Sequence, residues 1–425
     1  MSIQEQVDRL IDTRPGVELL SFLHDERAFQ INDFIHRSSG TSASYLLTTT
    51  AGRVIVNTGM GWEAPHHKHL FDAICPGPTP YIITTQGHVD HVGGVAQFRE
   101  PSTRYVAQAM NQACQADDAR IARFRMGTAL IWFGQLGGMI GKFARRHPGT
   151  ANGQDRPVPD ITFEHRLGLR VGDLELELIA APGGETVDSC VVWLPEQRIA
   201  LLSNLFGPLF PHFPNFNTLR GDKYRLAEPY LANVRRVREL APRLLITGRH
   251  LPIEGSDLID ASLARLHDAV EYVHGATVAR INAGQDIYAI MREVQLPPAL
   301  RVGQGYGKVS WAVRTIFESY TGWFQRRATS ELYPSAPETA LADLVDLAGA
   351  KVVLDRARGQ LAAGDPLRAL ALAEAAAAAE PANREAAQLL VEVHEALLAG
   401  GGDTNFWESG WLHHQIARWR AVASA

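Results

Sequence analysis

A chain of 425 residues is long enough for two or three domains, each with its own core. Hydrophobic residues at 46% and charged residues at 20% exclude disorder as the main state. The net charge of -5 argues against a nucleic-acid partner held by a basic surface.

The three cysteines, Cys75, Cys114 and Cys190, form neither a Cys-x-x-Cys pair nor an even-numbered framework, so a reducing compartment suits them. The N-terminus is acidic and polar where a signal peptide is basic and then apolar, which predicts a cytoplasmic protein. Residues 1 to 40 read as a helix followed by a loop. Two β-rich runs around Ala51-Gly52, Ala43 to Thr48 and Arg53 to Gly59, predict a hairpin. Residues 66 to 73 are helical in pattern and carry His66, His67 and His69; the spacing suits a metal, but an exposed helix face is the plainer account.

Tyr81-Ile82-Ile83 reads as a short buried strand leading into Thr84-Thr85-Gln86-Gly87-His88-Val89-Asp90-His91-Val92-Gly93-Gly94. His88, Asp90 and His91 crowd three donors into four positions, which only a turn can converge, because helix and strand periodicities both point neighbours apart. Imidazole and carboxylate suit zinc or another borderline divalent ion. A helix to about residue 99 and the strand Arg104-Tyr105-Val106 follow, giving the strand-helix-strand alternation of an α/β fold. Residues 107 to 146 are helix-like, and the run from Ala129 to Phe143 is too short and too rich in glycine for a membrane span, so no integral membrane segment is expected. It is expected to pack as a buried helix or to form an apolar wall over the site. Leu167 to Val171 and Leu174 to Ala180 alternate like paired strands, and Val191 to Leu194 and Ile199 to Leu202 read as two more. Leu244 to Thr247 reads as a strand that delivers His250 at its C-terminal end.

The turn Gln86-Gly87-His88-Val89-Asp90-His91 resembles the His-x-His-x-Asp-His turn of the metallo-β-lactamase superfamily at every donor position but the first. Pro182-Gly183-Gly184-Glu185, Thr218-Leu219-Arg220-Gly221, Tyr306-Gly307-Lys308-Val309-Ser310 and Tyr320-Thr321-Gly322-Trp323-Phe324 are similar to segments of its alkyl sulfatase branch. The resemblance implies an αββα sandwich over residues 1–330, followed over 331–425 by an all-α, tetratricopeptide-like dimerisation domain and hence a homodimer. It implies a zinc centre of one or two ions, or another divalent metal, with Gln86, His88 and Glu185 as one half, Asp90, His91 and His250 as the other, and Asn204 where the branch has a bridging carboxylate. Arg220 takes the position of the arginine that contacts the sulfate; a salt bridge to Asp222 is its structural alternative. Asp90 and His212 complete the candidate catalytic residues, with His212 as a general acid or as a hydrogen-bonded loop histidine. The implied activity is hydrolysis of an ester in a small anionic or amphiphilic molecule, foremost a sulfate ester of an aliphatic alcohol. A lactone, thioester or carboxylic ester is the alternative substrate, and a non-hydrolytic protein on the same fold the alternative class. Gln86 and Asn204 are neutral where the branch carries a histidine and an acid, which predicts that the Gln86 half holds metal weakly.

Overall fold

The structure, a computed structural model, describes residues 1–22, 24–151, 153–334 and 336–425. The chain divides into two compact units, Met1–Ser319 and Tyr320–Ala425. Among the described residues of the first unit, thirteen strands make two sheets. The first sheet runs in chain order: β1 (Phe29–Gln30), β2 (Ile35–Ser38), β3 (Ser44–Thr49), β4 (Gly52–Val56), β5 (Tyr81–Ile83), β6 (Arg104–Gln108) and β7 (Ile161–Phe163). Its pairs are antiparallel up to β4 and parallel from there on, because helical segments carry the chain back between β4, β5 and β6. The second sheet holds β8 (Arg166–Val171), β9 (Leu174–Ala180), β10 (Cys190–Leu194), β11 (Ile199–Ser203), β12 (Leu244–Thr247) and β13 (Ile253–Glu254), antiparallel except where β11 meets β12.

Side-chain alternation decides the layering. In β3 and β4, Tyr45, Leu47, Val54 and Val56 enter the core between the sheets, whereas Leu46 and Ile55 join Phe71, Val95 and Phe98 of the helices on the outer face. In β10 and β11, Val192 and Leu201 face the same inter-sheet core, while Val191, Trp193, Ala200 and Leu202 meet helices Ala227–Glu239, Ser256–Asn282 and Ile287–Glu293. Helices cover the outer faces of the central strands of both sheets, while β8 leaves alternate residues exposed, and the unit has the expected αββα architecture. No helix among the described residues is long and apolar enough to cross a membrane.

Three expectations are corrected. Residues 1 to 40 hold more than a helix and a loop: after helix Ile3–Thr13 come β1 and β2, an antiparallel edge too short to leave a periodic signal. The helix Ala64–Asp72 does not turn its histidines to solvent, for His66 and His67 are fully buried and only His69 is exposed. Burial lowers the pKa of His66 to about 4 and that of His67 to about 3, so both rings are neutral near pH 7. Residues 107 to 146 are not a buried helix; after β6 they form Asn111–Arg120, Ala122–Trp132 and Leu136–Arg146. Among the described residues, none of Ala122–Trp132 is buried, Phe143 is the one buried residue of Leu136–Arg146, and Phe124 and Met126 are 58% and 76% exposed.

The second unit is helical. Ala350–Ala362, Pro366–Ala379, Arg384–Gly400 and Phe406–Ser424 pack each on the next, with Asp365 and Asn383 capping the starts of two of them through side-chain bonds to Arg368 N and Ala386 N. Alanines at 369, 373, 376 and 386 let the helices approach closely around Leu354, Leu390 and Val393. The expected boundary at residue 330 falls inside this unit.

Asn57, at the end of β4, holds the strand ends of the first unit together. Its backbone φ is 59°, a left-handed conformation that asparagine tolerates better than most residues. Its side-chain oxygen accepts bonds from Thr85 N (2.9 Å) and Thr85 Oγ1 (3.1 Å), and its amide nitrogen donates to Ser203 Oγ (3.0 Å) on the other sheet. At about 1 kcal/mol for each net hydrogen bond, Asn57→Ala should cost roughly 2–4 kcal/mol, read from the midpoint of urea unfolding.

Candidate metal and anion centre

Strand ends and one long loop build the site. β5 stops at Ile83, and His88, still extended, caps the one-turn helix Val89–Val92, so its ring leaves the turn in a different direction from Asp90 and His91. Gly94 closes the turn against the next layer, where a Cβ would stand 2.1 Å from that of Ala64. The loop between β9 and β10 brings Glu185, the end of β11 brings Asn204, and residues 204–226 bring Arg220, Asp222 and Arg225.

The Gln86 half is closed on itself. The Gln86 amide nitrogen lies 3.0 Å from both His88 Nδ1 and Glu185 Oε2. His88 Nε2 is 3.1 Å from Asp222 Oδ2, and Arg225 Nη2 is 3.5 Å from the other oxygen of Glu185. Asp222 is the centre of charge: His88, Arg125, Arg225 and Arg220 lie at 3.1, 3.2, 3.7 and 3.8 Å from its Oδ2. Burial alone would raise its pKa, but the bond to His88 and the arginines hold it far below the usual carboxylate range. The salt bridge from Arg220 to Asp222 is therefore present but is the longest of the four. Arg220 also faces Tyr306, Asp118 and Asp90, whose charges add to the pull of Asp222 against its burial.

The Asp90 half is looser. Asp90 Oδ2 and the Asn204 amide nitrogen stand 3.8 and 3.4 Å from His91 Nε2, with Ser42 Oγ at 3.3 Å. Burial opposes ionisation of Asp90, yet His91, His88 and Arg220 keep it below the ordinary value. His250 is not brought here. Its Nδ1 accepts a bond from Phe210 N at 3.1 Å, and its Nε2 donates to the Pro15 carbonyl at 2.7 Å. Beyond the end of β12, where the chain bends, it is Arg249 that couples to Asp90 and Glu63 and reaches the Leu19 and Thr41 carbonyls. His212 accepts from Gly305 N at 3.1 Å and has the His250 ring as its neighbour, which is the loop-histidine alternative; burial and Arg14 lower its pKa to about 4.

The donor set decides where a divalent ion fits. Among the described residues, the one group of three His, Cys, Asp or Glu side chains with ligand atoms all within 4.8 Å is His88, Asp118 and Asp222, and Arg125 ion-pairs with both acids. The Gln86, His88 and Glu185 half, with its lone pairs engaged and Arg225 at its edge, does not fit an ion in this arrangement. Asp90 and His91, with Asn204 beside them and no strong bond among them, fit one. Asp222 and Arg225 were not singled out as site residues by sequence, and the only hint was their place just after Thr218-Leu219-Arg220-Gly221.

Comparison with known proteins identifies the family and the fold. The metallo-beta-lactamase superfamily model matches residues 38–250, and the alkyl sulfatase dimerisation model matches residues 286–410. A linear primary-alkylsulfatase of Pseudomonas sp. is 26% identical over 340 residues, 75% of this chain and 62% of the relative. The alkyl/aryl-sulfatase BDS1 of Saccharomyces cerevisiae is 23% identical over 413 residues, 90% of this chain and 62% of the relative. The chain thus spans 62% of the length of these two relatives. The stereoselective inverting sec-alkylsulfatase Pisa1 from Pseudomonas sp. superposes with a TM-score of 0.80 at 20% identity, covering 92% of this chain and 65% of that one; at that identity the likeness carries the fold.

Metal content tests the unequal halves. By elemental analysis after dialysis, the candidate centre should hold one ion that Asp90→Asn loses and Glu185→Gln keeps. A tightly held ion that Glu185→Gln loses would contradict the assignment.

Proposed function

Given that the chain belongs to the metallo-beta-lactamase superfamily and carries its alkyl sulfatase dimerisation segment, we propose that it hydrolyses a sulfate ester of an aliphatic alcohol. The observation that carries this reading is the cluster of Arg125, Arg220 and Arg225 around Asp222, in which Nε of Arg225 has no hydrogen-bond partner and Nη2 of Arg125 and of Arg225 meet carboxylates at 3.2 and 3.5 Å without making a hydrogen bond. A buried donor left unpaired costs about 1–3 kcal/mol, which a bound oxyanion recovers through charge-assisted bonds. Sulfate, with several oxygens and a permanent charge, suits three converging guanidinium groups.

The alkyl end has support as well. Ile121 and Phe124 stand over Gly221, where a Cβ would lie 2.8 Å from the Phe124 ring, so exposed apolar surface adjoins Arg220 directly. An amphiphile fits this pairing of charge and hydrocarbon. One divalent ion at Asp90 and His91, zinc foremost, would supply a Lewis acid and a source of nucleophilic water at neutral pH. Asp90, kept ionised by His91, His88 and Arg220, would help hold that ion and orient the water by accepting a hydrogen bond from it. The guanidinium groups stabilise the charge that grows on the departing sulfate, so that water and the ester give the alcohol and hydrogensulfate.

Sulfate release from medium-chain alkyl sulfates, assayed beside lactones and carboxylic esters, tests the reading. Arg220→Ala should raise KM for an alkyl sulfate by roughly tenfold or more with the metal content unchanged, the loss of a charged hydrogen bond of about 1.5–3 kcal/mol. Equal KM and turnover in the mutant would make Arg220 structural. Binding of alkyl sulfates without turnover would leave the non-hydrolytic alternative.

We also read the second unit as the contact of a homodimer, supported by Leu341, Leu344, Leu347 and Val352, which stand 44%, 59%, 84% and 63% exposed on neighbouring helices. Leu344→Glu with Leu347→Glu should convert the dimer to a monomer by light scattering. Three cysteines without a disulfide suit a cytoplasmic setting.

A further inference from the structure

A second group of imidazoles lies on the helical layer outside the first sheet and has no part in the centre described above. His66 and His69, one turn apart on helix Ala64–Asp72, meet His147, the C-cap of helix Leu136–Arg146. Their ring centroids lie 5.6 Å (His66 to His147) and 5.7 Å (His69 to His147) apart.

The orientation of His66 is fixed by a backbone bond. Its Nε2 is 2.8 Å from the carbonyl oxygen of Asp25, which can only accept, so Nε2 carries the proton and Nδ1 is left with a lone pair. A ligating histidine commonly shows this arrangement, with the far nitrogen donating to a carbonyl and the near one facing the metal. That near nitrogen faces His147 Nε2 at 3.4 Å. The separation is long for an N–H···N bond, whereas two nitrogens each about 2.0–2.1 Å from a tetrahedral ion stand about 3.4 Å apart. As placed, the three rings do not bring their ligand atoms within 4.8 Å of one another, and the exposed His69 ring must turn to reach the point between the other two. The nearest cation, Arg146, is occupied by an ion pair with Glu26. His24, the other ring in the cluster, is committed to Glu63 at 2.9 Å.

We propose that His66, His69 and His147 form a further binding site for a borderline divalent transition ion such as Zn2+ or Ni2+, with water completing the coordination. The site would fasten the end of helix Leu136–Arg146 to the body of the unit. That helix has little else to hold it: Phe143 is its one buried residue, and the preceding helix Ala122–Trp132 has none among the described residues. The ion would therefore order the exposed apolar segment that reaches the Arg220 loop at Phe124.

Titration of the metal-stripped full chain with Zn2+ against a chromophoric chelator tests this. His147→Ala should bind one Zn2+ fewer per chain than the parent, and His69→Ala should weaken the same site by roughly tenfold or more, both keeping the parent's melting temperature in chelator. In Asp90→Asn, which should lose the ion of the candidate centre, this site should still fill, so the two readings fail separately. Amide exchange in residues 136–146 should slow on adding Zn2+ to the parent and stay unchanged in His147→Ala. Equal Zn2+ stoichiometry and affinity in the parent, His69→Ala and His147→Ala would overturn the proposal.

Discussion

The geometry of the centre depends on the side chain of Asn57. From the end of β4 it reaches the Thr85 backbone and hydroxyl at the start of the donor turn, and Ser203 at the end of β11 on the opposite sheet. Three strand ends from two sheets are thus held at hydrogen-bond distance by one neutral group that both accepts and donates. The backbone joins in: Asn57 N donates to Ile83 O at 2.8 Å, and Ser44 Oγ donates to Asn57 O at 2.6 Å. An ionised aspartate at this point could accept from Thr85 and from the Ser203 hydroxyl, but only by bringing a charge into a fully buried position. Asparagine makes these contacts as a neutral amide.

The same exchange recurs at each position where this chain departs from its branch. Gln86 and Asn204 are amides where the branch has a histidine and an acid, and with each change the attraction for a second dication falls. The remaining carboxylates are not left bare. Glu185 meets Arg225, Asp222 gathers Arg125, Arg220 and Arg225, and Asp90 couples to Arg220 and Arg249. These carboxylates are therefore balanced by guanidinium groups. A guanidinium cannot acidify water, but it holds an oxyanion well, which on the proposed reading suits the anionic end of the substrate.

The fold was legible because burial on both faces of each sheet leaves short runs such as Tyr81-Ile82-Ile83 and Cys190 to Leu194, bounded by turn residues. Much of the centre was not, for reasons that particular residues make clear. His250 and Arg249 are neighbours at the end of a strand, and which of them turns toward Asp90 depends on where the strand stops, a matter of one residue. Asp222 and Arg225 sit on a long irregular loop, where spacing carries no periodic signal. His66 and His67 looked like a solvent face because their helix is short and polar. They are buried by distant chain: His66 bonds to the Asp25 carbonyl and His67 to Ser38, contacts no local pattern announces.

The unpaired donors and the apolar helices belong to one physical argument. Arg225 is 9% exposed and Arg125 nearly as buried, so water cannot readily satisfy the nitrogens they leave without partners. Each guanidinium group already faces carboxylate, Arg125 with Asp118 and Asp222, Arg225 with Asp222 and Glu185, and Arg220 with Asp222 and Asp90, and these interactions are strongest where solvent is thin. Phe124 and Ile121, over Gly221, thin it further on the side from which an amphiphile would enter. On the proposed reading, hydrocarbon at the rim and guanidinium groups inside favour the same class of molecule by two independent forces: burial of an alkyl chain favours length, and charge-assisted bonds favour an anionic head. A neutral ester would satisfy only the first, and inorganic sulfate only the second.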